Sequence, residues 1–320
     1  MAVDEAEAIK LRVAVLCGGP SPEREVSLSS GRAVHEALAG LGVASRLVDL
    51  PAADLLPLDE VECDVAFNAL HGEFGEDGAV QRLLEERGLA YTASRAPACE
   101  RAFDKVRAKR LFARRGLPTP AWTGIGPDEP LQPALAAAGL DIPVVAKPVH
   151  GGSSQGVTLV GDRGELQAAV AAAAEYDRAV LVERLIEGRE VTVGMLDGEA
   201  LPVVELRTPR TFYDYTAKYA DEKTEYLCPA PLPQAAAEEA RRVGLAACEA
   251  VGAEHFARVD LRLDRDLRPY LLEVNTVPGF TSHSLLPKAA AAVGIDFPHL
   301  CLRIVALGWA RHQARAESRR

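Results

Sequence analysis

The stretch ARVDLRLDRDLRPYLLEVN (257–275) constrains the chain most. Two strand-like runs flank the turn-forming residues Asp264-Arg265-Asp266. Side chains alternate along a strand. Val259, Leu261 and Leu263 therefore share one face with Leu272 and Val274, an apolar face suited to a core. Arg258 and Asp260 share the opposite face with Glu273 and Asn275. Pairing about a turn centred near 265–266 makes Asp260 and Glu273 direct or diagonal cross-strand neighbours.

Two carboxylates this close repel each other unless something neutralises them. Two carboxylates and one amide form an all-oxygen set, which suits a hard cation, above all Mg²⁺ carried in with phosphates. The competing reading is a solvated outer face with a chance charge cluster. Thr276-Val277-Pro278-Gly279 continues the second strand as a rigid turn rather than a solvent loop, which favours the metal. No Cys or His shares the face, which argues against zinc.

A second signal lies upstream. Lys147 ends the apolar run IPVVAKPV (142–149), and the loop GGSSQG (151–156) follows. Glycines let a backbone close on a ligand, and successive N–H groups with serine hydroxyls can cradle anionic oxygens. This is not a Walker A loop: no GK[ST] follows, and the loop leads into a strand, VTLV (157–160). Taken alone, a flexible hairpin turn explains it equally well. With the lysine at the strand end and the metal hairpin elsewhere, it reads as an ATP site.

The rest of the chain supplies a frame. LRVAVLC (11–17), VASRLVDL (43–50) and CDVAFNAL (63–70) read as strands, with helical patterns between Val26 and Leu41 and over 79–88. Strand alternating with helix implies a parallel sheet covered on both faces, placed at 1–93. A middle unit over 94–181 holds a basic amphipathic helix at 104–116, the lysine strand, the loop and a helix at 165–176, and the run 178–186 leads out of it. A third unit over 182–320 holds strands near 189–196 and 200–207, a polar loop at 208–228, a helix at 234–251 and the hairpin.

Composition excludes several classes. The net charge of −10 argues against a binder of nucleic-acid backbones. Arg311, Arg315, Arg319 and Arg320 read as a solvated tail. No uncharged apolar run reaches the roughly 18–20 residues a membrane helix needs. The acidic start MAVDEAEAIK lacks the features of a signal peptide, so a cytoplasmic protein without a membrane partner is expected. The six cysteines form no CxxC pair and read as reduced, buried hydrophobes.

Eight stretches then carry a resemblance: GGPSPEREVSLSSGRAV, ALHGEFGEDGAVQ, FDKVRAK, AKPVHGGSSQGV, LVERLIEGREVTV, TFYDYTAKY, ARVDLRL and LLEVNTVPGFTSHSLLP. In order and spacing they resemble the D-alanine-D-alanine ligases, over almost the whole chain. The resemblance implies an α/β protein of the three-domain ATP-grasp fold that joins two D-alanine molecules with ATP, as a homodimer. By that resemblance Lys105 and Lys147 hold the phosphates, with Ser154 in the loop over them, and Lys218 also binds the nucleotide. Glu183, Arg184, Leu185, Ile186 and Glu190 line the adenine and ribose pocket, partly through backbone groups. Asp260, Glu273 and Asn275 hold two Mg²⁺ ions, for which Mn²⁺ can substitute, and Asn275 also serves the nucleotide. Glu23 binds the first D-alanine's ammonium, and His71 lies near its carboxylate. Arg258 and the Gly279 N–H form an oxyanion hole. Ser284 and Leu285 bound the second D-alanine. Ser153 and Tyr219 form a hydrogen-bonded set with Glu23.

Each of these residues has a plainer reading. Glu23 can serve a helix N-terminus through its dipole, His71 can be a satisfied loop histidine, and Tyr213, Tyr215 and Tyr219 can be packing residues. Rival functions are the same chemistry with D-lactate or D-serine as second substrate, another ATP-grasp ligase, and a catalytically silent nucleotide-binding protein.

Overall fold

The structure is a computed structural model that describes residues 5–126, 129–207, 224–281 and 283–318. Its first sheet is parallel, in the order β2-β1-β3-β4, from β1 (Arg12–Gly18), β2 (Ala44–Leu50), β3 (Val65–Asn68) and β4 (Ala90–Tyr91). Six of the seven β1 residues are buried, as expected of a parallel strand covered on both faces. Helices α1 (Glu5–Ala8), α2 (Arg24–Gly40), α3 (Ala79–Glu86) and α4 (Ala96–Phe103) follow in sequence.

The middle unit opens with α5 (Lys105–Arg114), whose N-cap Asp104 accepts the Arg107 N–H at 2.8 Å. Its antiparallel sheet runs β5-β8-β6-β7, from β5 (Trp122–Ile125), β6 (Val144–Pro148), β7 (Thr158–Val160) and β8 (Val180–Arg184), with α6 (Leu131–Ala137) and α7 (Leu166–Ala174) against it. The expected boundary at 181/182 thus passes through β8, an interior strand paired with β5 and β6 that is also the last of this sheet before the chain leaves it. A buried apolar run does not show at which of its residues one unit ends, so the sequence could not fix that boundary.

The third sheet joins β9 (Arg189–Leu196), β10 (Glu199–Ala200), β11 (Val204–Arg207), β12 (Glu225–Leu227), β13 (Phe256–Leu263) and β14 (Pro269–Asn275). The end of the expected 208–228 loop is therefore a strand, paired with β11. Helices α8 (Gln234–Val251), α9 (Leu285–Ala291) and α10 (Phe297–Ser318) complete the chain. The last of these returns to the first unit, packing on α1, α2 and β4. Phe280 joins the units. Its ring meets Phe67 of β3 at 5.5 Å and Phe256 of β13 at 5.2 Å, both edge-on.

The hairpin forms as expected, with Asp260 opposite Glu273 and Val259 opposite Val274. One detail differs. The register shifts after Asp260, so that Leu261 faces Leu271. This bulge places an extra residue on β14 and turns Leu271, not Leu272, into the core. Leu271 is fully buried, whereas Leu272 is half-buried on the opposite side. Strict alternation cannot anticipate such a shift.

Leu271→Ala should accordingly destabilise the protein by about 2–5 kcal/mol, the range for buried leucines, with Leu272→Ala costing clearly less. Urea denaturation followed by circular dichroism gives both values, and equal losses would contradict the bulged register.

Candidate active site

A cavity of about 390 Å³ lies between the two antiparallel sheets. Lys105, Lys147, Ser154 and Glu183 to Ile186 line one part of it, and Glu190, Arg258, Asp260, Glu273 and Leu285 another. These twelve residues, each expected at the site from the sequence, are brought together. Leu272 also lines it. Lys218 and Tyr219, with Tyr213 and Tyr215, fall outside the described residues.

The cations come from two elements. Lys105 opens α5; its Nζ donates to the Gly151 carbonyl at 2.7 Å and lies 3.9 Å from Glu273 Oε2. Burial lowers its pKa from the usual lysine value. Lys147 sits on β6 with Nζ 2.5 Å from Glu183 Oε1. The other Glu183 oxygen is 2.6 Å from Lys109 Nζ. Glu183 is only 2% exposed. Burial alone would raise its carboxyl, but the two ammonium groups outweigh that and hold it below the usual carboxylate range. Its carboxylate is therefore committed to lysines rather than turned to a sugar, which leaves its backbone for the adenine-side role expected of it.

Lys109 was not singled out in the sequence. It repeats Lys105 one helical turn later, in KVRAK, but a basic amphipathic helix reads as solvated. In fact Lys109 is 0% exposed, and burial lowers its pKa to about 8.

The carboxylate pair fits a hard cation by its donor chemistry: only oxygens are offered. Arg258 grips Asp260 with two bonds of 2.8 Å, so each carboxylate already has a cation beside it. Among the described residues no three His, Cys, Asp or Glu side chains form a metal-holding group. An ion here would need further oxygens, as Mg²⁺ bound with phosphates does. Asn275 does not line the cavity; its Oδ1 accepts the Val277 N–H at 3.0 Å. Glu190 pairs with Arg262 at 2.9 Å.

The 151–156 loop divides two compartments. Ser153 and Ser154 both adopt left-handed φ, 51° and 56°, a conformation uncommon outside glycine and often kept for function. Ser154 lines the lysine cavity, while Ser153 donates to the Glu23 carboxylate. Glu23 occupies the N-cap position of α2, where the helix dipole favours a carboxylate, and its side chain makes no capping bond. A Cβ on Gly72 or Gly152 would come within 2.9 Å of Glu23 Oε2, so both approach it closely as only glycine can.

His71 completes this second compartment. It is buried, with Nε2 3.0 Å from Ser30 Oγ and Nδ1 3.4 Å from Glu76. Burial pushes the Glu76 carboxyl up, against its bond with His71. Phe280 N–H donates to the same Ser30 hydroxyl at 3.2 Å, which fixes the turn carrying Gly279. Ser284 Oγ accepts the Thr281 N–H at 3.1 Å and lies over Gly279.

A parallel sheet followed by two antiparallel sheets that enclose a lysine- and glycine-lined cavity is the ATP-grasp fold. The comparisons agree. The family described as D-ala D-ala ligase C-terminus matches residues 111–306. A D-alanine–D-alanine ligase of Alkalilimnicola ehrlichii is 48% identical over 305 residues, 95% of this chain and 96% of that protein. One from Bordetella avium is 45% identical over 299 residues, covering 92% and 94%. The structure of the Bacillus anthracis ligase complexed with ATP superposes with a TM-score of 0.85 at 31% identity, covering 95% of this chain and 99% of that one. The chain belongs to the D-alanine–D-alanine ligase family.

Glu183→Gln would leave Lys109 and Lys147 buried without their counter-charge. It should cost about 3–5 kcal/mol of stability, as breaking a buried pair does. A carboxyl held low in the folded state stabilises above its ordinary titration range and loses that contribution as pH falls through the lowered value. The gap between variant and wild type, measured by urea denaturation, should therefore narrow in acid. A pH-independent gap would contradict the ion-paired assignment.

Proposed function

We propose that the chain joins two D-alanine molecules into D-alanyl-D-alanine, converting ATP to ADP and phosphate and supplying a peptidoglycan precursor. The observation that carries this reading is the shared loop: Ser154 lines the lysine cavity while its neighbour Ser153 is bonded to Glu23. A nucleotide compartment and an amino-acid compartment thus meet at one peptide unit.

In this reading Glu23 takes the ammonium of the first D-alanine and His71 lies at its carboxylate. A carboxylate oxygen attacks the γ-phosphorus of ATP, the bond to the β-phosphate oxygen breaks, and ADP leaves. Lys105, Lys147, Ser154 and Lys218 hold phosphate oxygens and offset their charge, while Arg184, Leu185, Ile186 and Glu190 line the adenine and ribose. Two magnesium ions, replaceable by manganese and held by Asp260, Glu273 and Asn275, would supply further charge compensation. The uncharged amine of the second D-alanine, bounded by Ser284 and Leu285, then attacks the acyl carbon of the D-alanyl phosphate. The carbon–oxygen bond to phosphate breaks, and phosphate departs. Arg258 and the Gly279 N–H face the transient oxyanion. Tyr219, with Ser153 and Glu23, provides acceptors for the incoming amine's proton. The enzyme would act as a cytoplasmic homodimer of three-domain protomers.

Three measurements test this. Phosphate release from ATP should depend on D-alanine. With equimolar D-alanine and D-lactate at neutral pH, mass-resolved products should be mainly the dipeptide, whereas predominant depsipeptide would overturn the choice of second substrate. Glu23→Gln should raise the KM for the first D-alanine about ten- to hundredfold, the worth of one charged hydrogen bond. The KM for ATP should change little, and equal shifts in both would return Glu23 to a structural role.

A further inference from the structure

Lys109 does not line the cavity, yet it is fully buried, with an ion pair on one side and a hydrogen bond on the other. Its Nζ lies 2.6 Å from Glu183 Oε2 and donates to Thr119 Oγ1 at 2.6 Å. The Thr119 hydroxyl in turn donates to the Leu271 carbonyl at 2.8 Å, and the Leu271 N–H donates to the Pro118 carbonyl at 2.9 Å. Both backbone groups of Leu271 are thus held by the 118–119 segment, at the bulge and two residues before Glu273. At the other end Glu183 holds Lys147 at 2.5 Å. An unbroken chain of polar contacts runs Lys147, Glu183, Lys109, Thr119, Leu271, from the middle sheet to the metal hairpin.

Burying a lysine is costly unless its charge and donors are used. Simple packing at this place would be met by leucine or methionine. Lys109 adds a charge for Glu183 and a donor for Thr119 at once. Lys105, four residues earlier on α5, spans the same gap closer to the cavity, between Gly151 and Glu273. The helix therefore splints one wall against the other with two lysines.

We propose that Lys109 is a positioning residue: through Glu183 and Thr119 it sets the distance between Lys147 and the β14 segment carrying Glu273, and so holds the cavity walls at the spacing a triphosphate chain requires. The inference rests on the reading that this cavity takes ATP.

The test uses calorimetric titration with magnesium and a non-hydrolysable ATP analogue, plus steady-state KM values for ATP and D-alanine. Lys109→Met should weaken analogue binding and raise the KM for ATP about tenfold or more, the scale of a hydrogen bond to a charged group. The KM for D-alanine should stay within about twofold, since Glu23 and His71 lie outside this chain of contacts. Thr119→Val, which keeps the Lys109–Glu183 pair, should shift ATP binding the same way by a smaller factor. A wild type that fails to bind the analogue would defeat the reading of the cavity itself. A wild type that binds it and a Lys109→Met enzyme that binds it equally would defeat only the role of Lys109. Lower stability with both KM values unchanged would reduce Lys109 to packing and overturn the proposal. Should Lys109→Met not fold, Thr119→Val decides: affinity equal to wild type refutes the positioning role.

Discussion

Glu183 holds two ammonium groups inside the protein, and the lysine cavity depends on that contact. A pocket for a polyanion needs cations that stay charged where water is scarce. Burial works against this: it lowers the pKa of both Lys105 and Lys109. A carboxylate 2.6 Å from Lys109 works against that lowering, and its other oxygen stands 2.5 Å from Lys147. Its strand β8 lies between β5 and β6, so the carboxylate stands on an interior strand rather than a loop. Fixed charges on rigid elements need little reorganisation when a ligand arrives.

The same economy of geometry governs the loop at 151–156. Two successive serines in left-handed conformation turn their side chains to different neighbours, one to the lysine cavity and one to Glu23. Gly72 and Gly152 bring two loops against the Glu23 carboxylate, where any Cβ would collide with it. The close packing of these backbones is what places a carboxylate from the first unit beside a loop from the second. A side chain at either glycine would push the Glu23 carboxylate from its place between the two loops.

Much of this was legible in the residues because it obeys local periodicity. The hairpin's two faces follow from alternation, and with them the pairing of Asp260 with Glu273. The parallel sheet follows from apolar runs separated by helical patterns. The features that escaped are those that periodicity does not encode. The bulge that exchanges Leu272 for Leu271 depends on how β14 meets the 118–119 segment, 152 residues away from Thr119 in sequence. The interior position of β8 depends on which strands flank it. Lys109 looked like a member of a solvated basic face, because its burial is set by Glu183 and Thr119, neither adjacent on the helix. Partners of buried charges are tertiary facts.

The two compartments are anchored in similar ways. On the lysine-cavity side, polar contacts lead from Lys147 into the hairpin backbone. On the other, His71 bonds Ser30, and Ser30 accepts the N–H of Phe280, whose ring is wedged between Phe67 and Phe256. Phe280 and the returning helix α10 share one core with the first sheet, so the turn bearing Gly279 and Ser284 is tied to the unit that supplies Glu23 and His71. Elements rooted in a common core open together or not at all. The Glu23 and His71 side is thus built from both ends of the chain. The turn carrying Gly279 is held there by the Phe280 N–H on Ser30 and by the Phe280 ring between Phe67 and Phe256.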